Sequence, residues 1–264
     1  IVFGDWSSDV CSSDLLLNAA FEIRREMSDK FIQINRYVEI LEPHFRTVDR
    51  TKPFYITDMG SGKGYLTFAL YDYLLRNGFQ PWVTGVEQRQ ELVDQSNRIA
   101  KEAGFEHLHF VKGSIRETFL ERVDMLIALH ACDTATDDAI YRGITAKAGI
   151  IVVAPCCHKQ LRKSIVPPEQ FYPVFRHGLL GERQAELLTD AIRAMVLEAF
   201  GYRPGVIEFV ASDHTPKNLM IIARKVRKQE PGRAFPAIWR FLELFGVQRH
   251  YLTDFFIKEQ KSTG

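Results

Sequence analysis

The sequence predicts an α/β fold: a seven-stranded, mostly parallel sheet closed by an antiparallel hairpin, with helices on both faces. Two observations predict it. From Phe54 to about Phe200, short apolar runs alternate with stretches of helical periodicity, the pattern of parallel strands joined by crossover helices. The last two apolar runs, Val206–Ser212 and Leu219–Val226, are separated only by Asp213–Asn218. So short a connection allows only an antiparallel pair.

The elements follow in order. Leu16 to Phe45 reads as a helical lead-in, with Phe31, Ile34, Val38 and Leu41 at three- and four-residue steps among Arg24, Arg25, Lys30 and Arg36. Phe54–Gly60 is a strand that runs into a glycine-rich turn, and Tyr65–Arg76 is a helix. Trp82–Gln88 is a second strand, followed by a polar helix to Ala103. Leu108–Gly113 and Val123–His130 are strands, Thr134–Thr145 a helix and Gly149–Cys157 a fifth strand. A loop with three prolines, Ile165–Pro173, leads to an amphipathic helix over Glu182–Phe200, its apolar face made by Leu188, Ile192, Met195, Val196 and Ala199. After the hairpin, Pro236–Ile257 has helical patterning.

Composition sets the bounds. The chain is 46% hydrophobic and 25% charged, ordinary for a globular protein, and no apolar run reaches membrane-span length. Four cysteines in 264 residues are no disulfide scaffold, so a reducing cytoplasm is the expected compartment. No membrane association and no obligate protein partner is expected. Gly4–Leu15 lacks either periodicity and resembles a translated sequencing adapter, which the segment from Asp5 onward fits in one reading frame. Residues 1–15 are therefore expected to be foreign and disordered, with Trp6 and Cys11 outside any functional argument. Without Asp5, Asp9 and Asp14 the net charge of +1 becomes +4, a mildly basic balance that nucleic acid tolerates and does not require. The expected organisation is a helical lead-in over 16–50, a cofactor-binding domain over 51–228 and a helical extension over 229–264.

Asp58-Met-Gly60-Ser61-Gly62-Lys-Gly64 lies where the first strand meets the first helix. Glycines there let the main chain turn tightly and approach a ligand. A dinucleotide fingerprint needs its third glycine one residue later, where Tyr65 stands, and a Walker loop needs Gly-Lys-Ser/Thr, which Gly62-Lys63-Gly64 does not supply. The G-x-G-x-G spacing, with Asp58 ahead and Glu87 at the end of the second strand, instead resembles class I S-adenosylmethionine-dependent methyltransferases with a Rossmann-like sheet. That resemblance implies S-adenosylmethionine as cofactor. It implies a loop (Gly60, Ser61, Gly62, Gly64) against the methionyl part and Glu87 on the ribose hydroxyls. Gly113 and Ser114 fall near the adenine, and Leu129 and His130 complete the cofactor set.

Five segments narrow the resemblance: DMGSGKGYLTFAL, ALHACDTATDDAI, VVAPCCHKQL, ERQAELLTDAIRAMVLEAFGY and EFVASDHTPKNLMIIARK. Together they resemble the methyltransferase-like 25 family, whose methyltransferase domain is shared by a glutathione-transferase-C-terminal-domain-containing protein. A similar Cys-Cys-His run occurs in tRNA ribose methyltransferases, which makes RNA the leading acceptor. A protein or small-molecule acceptor and a non-catalytic cofactor-binding adaptor are the alternatives. Asp133 stands where the family pattern calls for glycine.

His130 and Cys132 end the fourth strand, and Cys156, Cys157 and His158 end the fifth, so both groups are expected at the cofactor face. Three readings remain open. A cysteine attacks the acceptor as nucleophile; His130, Cys132, Cys157 and His158 hold zinc; or the run walls the acceptor pocket. Strand-end position favours the wall, and no metal is expected. His130 or His158 would take any proton the acceptor loses. Asp133, Lys159 and Arg162 are expected to contact substrate, whereas Arg193 and the pair Glu182-Arg183 read as a solvated helix face.

Overall fold

The computed structural model describes residues 28–129, 131, 133–155, 158–209, 219–226 and 231–262. Its strands are β1 (Pro53–Met59), β2 (Gln80–Glu87), β3 (Leu108–Lys112), β4 (Met125–Ala128), β5 (Ile150–Val153), β6 (Tyr202–Glu208) and β7 (Leu219–Lys225). They form a seven-stranded sheet in the order β3-β2-β1-β4-β5-β7-β6. β1 is parallel to β2 and β4, β2 is parallel to β3, and β7 is antiparallel to β5. This is the expected mixed sheet, with β6 and β7 as neighbours.

The helices are α1 (Ser28–Phe45), α2 (Tyr65–Arg76), α3 (Gln90–Glu102), α4 (Thr134–Thr145), α5 (Lys159–Ser164), α6 (Tyr172–Phe175), α7 (Gly178–Ala199), α8 (Pro231–Leu244) and α9 (Tyr251–Ser262). Three expectations change. The segment Pro236–Ile257 is two helices, because Gly246 turns the chain at φ +67° and Val247 pairs with Ile165 across an isolated bridge. The proline loop contains a 3₁₀ turn at Glu169–Phe171 followed by α6, whose Pro173 sits in the first turn, where no amide bond is lost. Helix α7 begins at Gly178, a turn before Glu182, with no capping side chain to mark its start. Among the described residues, no helix is long and apolar enough to cross a membrane.

The chain divides into two compact units. The first comprises α1 through Ile127, with Glu208 and Phe209. Helices α2 and α3 are amphipathic. Leu66, Phe68, Ala69, Leu70 and Leu74 of α2 are buried, as are Val93, Ile99 and Ala100 of α3. Full burial of each large side chain contributes about 1.5–3 kcal/mol. Phe68 meets Phe110 of β3 at 5.3 Å, and Tyr71 meets Phe105 at 4.7 Å. The Phe110 ring lies so close to Gly85 of β2 that a β-carbon there would collide with it.

The second unit comprises residues 128–207 and 219–262 among those described. Every residue of β5 is buried, the expected state of a strand covered on both faces. Ile140 of α4, Ile192, Val196 and Leu197 of α7, and Met220 and Ile221 of β7 belong to this core. An aromatic cluster joins its C-terminal helices. Phe256 lies 4.2 Å from Phe200, and Phe255 stacks on Tyr141 at 4.4 Å.

Candidate functional site

In the first unit the glycine turn leaves β1 and enters α2. Gly60, Gly62 and Gly64 all have positive φ, at 80°, 58° and 75°, which side-chain-bearing residues rarely adopt. The turn is anchored to β2: Gly60 and Ser61 both donate to the Val86 carbonyl, at 2.8 and 3.0 Å. A β-carbon at Gly60 or Gly62 would meet nothing within 4 Å, so these glycines leave an open face above the main chain. The Ser61 hydroxyl is buried without a partner. Open backbone beside an orphaned hydroxyl suits a bound polar ligand.

Two carboxylates flank this turn. Asp58 is buried and accepts a 2.5 Å bond from Thr67 Oγ1. Burial raises its pKa to about 6, against the lowering influence of that hydroxyl. Glu87 accepts from the Gly62 amide at 2.9 Å, the Arg89 amide at 3.1 Å and Arg89 Nε at 2.9 Å. The Arg89 bonds above all hold its pKa below the usual value. A carboxylate has about four acceptor sites, so two further donors fit only if the exposed Arg89 side chain swings away.

The other residues expected on this side are placed individually. Gly113 donates to the Glu87 carbonyl at 3.0 Å, and a side chain there would collide with Thr118 and Val86. Ser114 donates to Glu117 Oε2 at 3.1 Å and accepts from the Glu117 amide at 3.2 Å, closing a local turn. One residue on this side is not singled out by the sequence. Tyr37 of α1 is 1% exposed and meets Phe209 edge-on at 6.4 Å. Burial, with the charge of Asp58 as a second cause, holds its phenol well above the ordinary pKa.

In the second unit Leu129 follows β4 and is buried. His130, Cys132, Cys156, Cys157 and residues 210–218 lie outside the described residues, as does the Lys159 side chain. His158 is described and buried. Its Nε2 lies 3.1 Å from both oxygens of Asp190 on α7, and its Nδ1 is buried with no partner among the described residues. Since Asp190 accepts, Nε2 carries the proton in the neutral ring and Nδ1 carries the lone pair.

Arg193 corrects the reading of α7 as a solvated face. It is 0% exposed. Its Nε donates to Asp137 of α4 at 2.7 Å, Nη1 to Asp190 at 3.0 Å and Nη2 to the Asp133 carbonyl at 3.0 Å. Burial opposes its charge, but Asp137 and then Asp190 outweigh that and hold its pKa above the ordinary value. A detectable signal was available. Asp190 and Arg193 sit one turn apart, and Arg193 continues the stripe of Ala185, Thr189 and Val196, all buried. A charge on a buried stripe requires a buried partner.

Asp133 caps the start of α4 at φ 53°, ψ −120°, a conformation that favours glycine. Asp133 Oδ1 accepts from the Gln160 amide at 3.0 Å, which ties the start of α5 to α4 and offsets the strain. We expect Asp133→Ala to be less stable than Asp133→Gly by about 1 kcal/mol or more, since alanine keeps the strain and loses the bond. Urea midpoints of the two variants measure this, and equal midpoints would refute the strain.

His250, ahead of α9, is another residue the sequence did not single out. It is fully buried with neither ring nitrogen partnered. Burial lowers its pKa to about 4; nearby Asp137, Asp254 and Asp190 oppose that shift, and Arg193 reinforces it. The unfolded chain therefore binds more protons between pH 4 and 6.5, and stability on the order of 3 kcal/mol is lost as pH falls through that window. Asp58, with its folded pKa raised, works in the opposite sense: its contribution is full below about pH 4 and is lost as pH rises through 6. The two slopes offset each other. His250→Leu should leave stability that falls from pH 4 to 6, where the parent protein is nearly flat. Urea midpoints across pH 4–7 that stay parallel for both proteins would contradict this.

A family model described as a methyltransferase domain matches residues 29–164, just over half the chain. The glutathione S-transferase C-terminal domain-containing protein of Homo sapiens is 27% identical over 217 residues, covering 72% of this chain and 32% of that protein. Its Mus musculus counterpart is 25% identical over 222 residues, with the same coverage. The chain thus spans about a third of the length of the curated relatives it matches. Among solved structures, the citrinin polyketide synthase CMeT domain has a TM-score of 0.50 at 14% identity, covering 77% of this chain and 54% of that one. This is a likeness of fold.

Proposed function

The chain belongs to the methyltransferase-domain family, and on that premise we propose that it transfers a methyl group from S-adenosylmethionine to RNA, ribosomal or transfer. The reading is carried by His158, held by one ring nitrogen against Asp190 while the other nitrogen is left unpartnered. Such a histidine is oriented to take a proton. An RNA hydroxyl, unlike an already nucleophilic amine, must lose a proton as it gains a methyl group. The Cys-Cys-His run ahead of α5, similar to that of tRNA ribose methyltransferases, supports the same acceptor. Exposed Arg162 and Lys163, just beyond it, suit a phosphate backbone.

In this reading the open face of Gly60 and Gly62, the Ser61 hydroxyl and Glu87 hold the cofactor in the first unit, with Asp58 behind them. When bound, S-adenosylmethionine supplies a methyl group on a sulfonium, which needs alignment more than covalent help. His158 takes the acceptor proton on Nδ1, and Asp190 stabilises the imidazolium that forms. Arg193 fixes the Asp190 carboxylate so that the ring does not rotate. The proposal gives Cys156 and Cys157 the role of acceptor-pocket wall, His130 a role toward the donor, and Asp133, Lys159 and Arg162 roles toward the substrate. The protein acts in the cytoplasm.

Labelled donor incubated with total RNA, total protein and a metabolite extract tests the acceptor. Label in RNA supports the proposal. Label in protein or small molecules alone replaces it, and tight donor binding with no acceptor indicates an adaptor. Glu87→Ala and Asp58→Ala should each weaken donor binding about tenfold or more in calorimetry, because each removes a buried or shielded acceptor. Unchanged affinity in both would move the cofactor elsewhere.

A further inference from the structure

Between α5 and the start of α7 the second unit encloses a cleft of about 260 Å³. Arg162, Arg176, Tyr172, Phe175, Gly178 and Gly181 are among its lining residues. Resting on the RNA reading above, we propose that this cleft binds one nucleotide of the RNA strand, flanking the one that is methylated. Its phosphate would lie against Arg162 and Arg176, and its base against Tyr172 and Phe175.

Charge is the first argument. Both charged residues of the described lining are arginines, and the carboxylate nearest to hand is that of Glu182. Arg162 is held at 3.3 Å by Glu182, but both side chains are solvent-exposed, and a pair of that kind yields readily to a phosphate. Arg176 Nε donates to Nε2 of His177 at 3.2 Å, a contact that brings no carboxylate to the guanidinium.

The aromatic residues are the second argument. Tyr172, in the cleft lining, is 58% exposed, and Phe175 is half-buried. Rings left in water beside guanidiniums are the recurrent platform for single-stranded bases, which stack on any π face. An acidic peptide would use the arginines and leave the rings idle. Volume agrees, since about 260 Å³ lies just below the range of drug-sized pockets and suits a single base. A β-carbon at Gly178 would meet nothing within 4 Å, so packing does not require that glycine, and its lack of a side chain keeps the entrance clear.

Position makes the site a flanking one. Gly178 and Asp190 lie on the same helix, and at about 1.5 Å rise per residue they are roughly 18 Å apart. The cleft therefore extends away from the reacting nucleotide, and Arg162, one turn of α5 beyond His158, lies on the side toward it.

The test is fluorescence anisotropy of the full chain with a labelled twelve-nucleotide oligouridine, alongside Tyr172→Ala and Arg176→Ala. Circular dichroism and donor calorimetry serve as folding controls. Each variant should bind about tenfold more weakly, and Arg176→Ala should flatten the log–log salt slope by about 0.7, the contribution of one phosphate on a single strand. Parental affinity in both variants overturns the proposal. So does a parent protein that fails to bind the oligonucleotide, or displacement of the RNA by polyglutamate at equal charge concentration. Labelled methyl transfer to RNA, run in parallel, separates the two readings. Transfer with variant-insensitive binding sinks the cleft alone. Variant-sensitive binding without transfer sinks the methyl acceptor and leaves the cleft standing.

Discussion

Arg193→Met is expected to lower the melting temperature by about 10 °C. The guanidinium is the buried counter-charge of Asp137 and Asp190 and a donor to the Asp133 carbonyl. Removing it leaves two buried carboxylates with no guanidinium, and breaking a buried ion pair from one side costs about 3–5 kcal/mol. At roughly 2–4 °C per kcal/mol for a chain of this size, the loss is readily seen in a thermal scan. Lysine should rescue little, because a single ammonium cannot reproduce the planar fork that reaches all three acceptors. A methionine variant melting within 2 °C of the parent would show that the network contributes little.

The largest effect on turnover is expected from His158→Gln. Glutamine keeps a donor toward Asp190 and cannot take a proton. If His158 is the base, kcat should fall by about 10²–10⁴ while donor affinity stays within twofold. The pH dependence is the more discriminating readout. Loss of a base removes the acid limb of the kcat profile, whereas a merely structural disturbance lowers the whole curve without changing its shape. A glutamine variant with parental kcat would end the case for general-base catalysis.

Legibility in the sequence followed physical cause. Helices α2 and α4 carry the bounds expected of them, Tyr65–Arg76 and Thr134–Thr145, because each is bracketed by strand runs and turn residues. The glycine turn was readable because its positive φ angles require glycine, and glycine is visible in a sequence. The break between α8 and α9 was not, because helical periodicity continues across it and a single Gly246 is a weak signal in an apolar run. The charge network was missed for a different reason. Asp137, Asp190 and Arg193 each look ordinary alone, and only tertiary contact turns an exposed-looking helix charge into a buried one. Asp133 was noticed as a departure from the family pattern, but its cause, a left-handed backbone secured by a bond to Gln160, needed coordinates. The expected roles of His130, Cys156 and Cys157 concern residues outside those described.

Gly246 has a reach far beyond its own turn. Its carbonyl accepts from the Val166 amide at 2.9 Å, the neighbouring Val247 bridges Ile165, and any β-carbon at 246 would strike the Val166 carbonyl. Eighty residues of chain separate these partners, yet they behave as the two halves of one clasp. Ile165 and Val166 lie between Arg162 and Tyr172, so a side chain at 246 would act as a wedge whose effect is felt at the basic cleft. A C-terminal position that touches no acceptor would thus govern how firmly one is held.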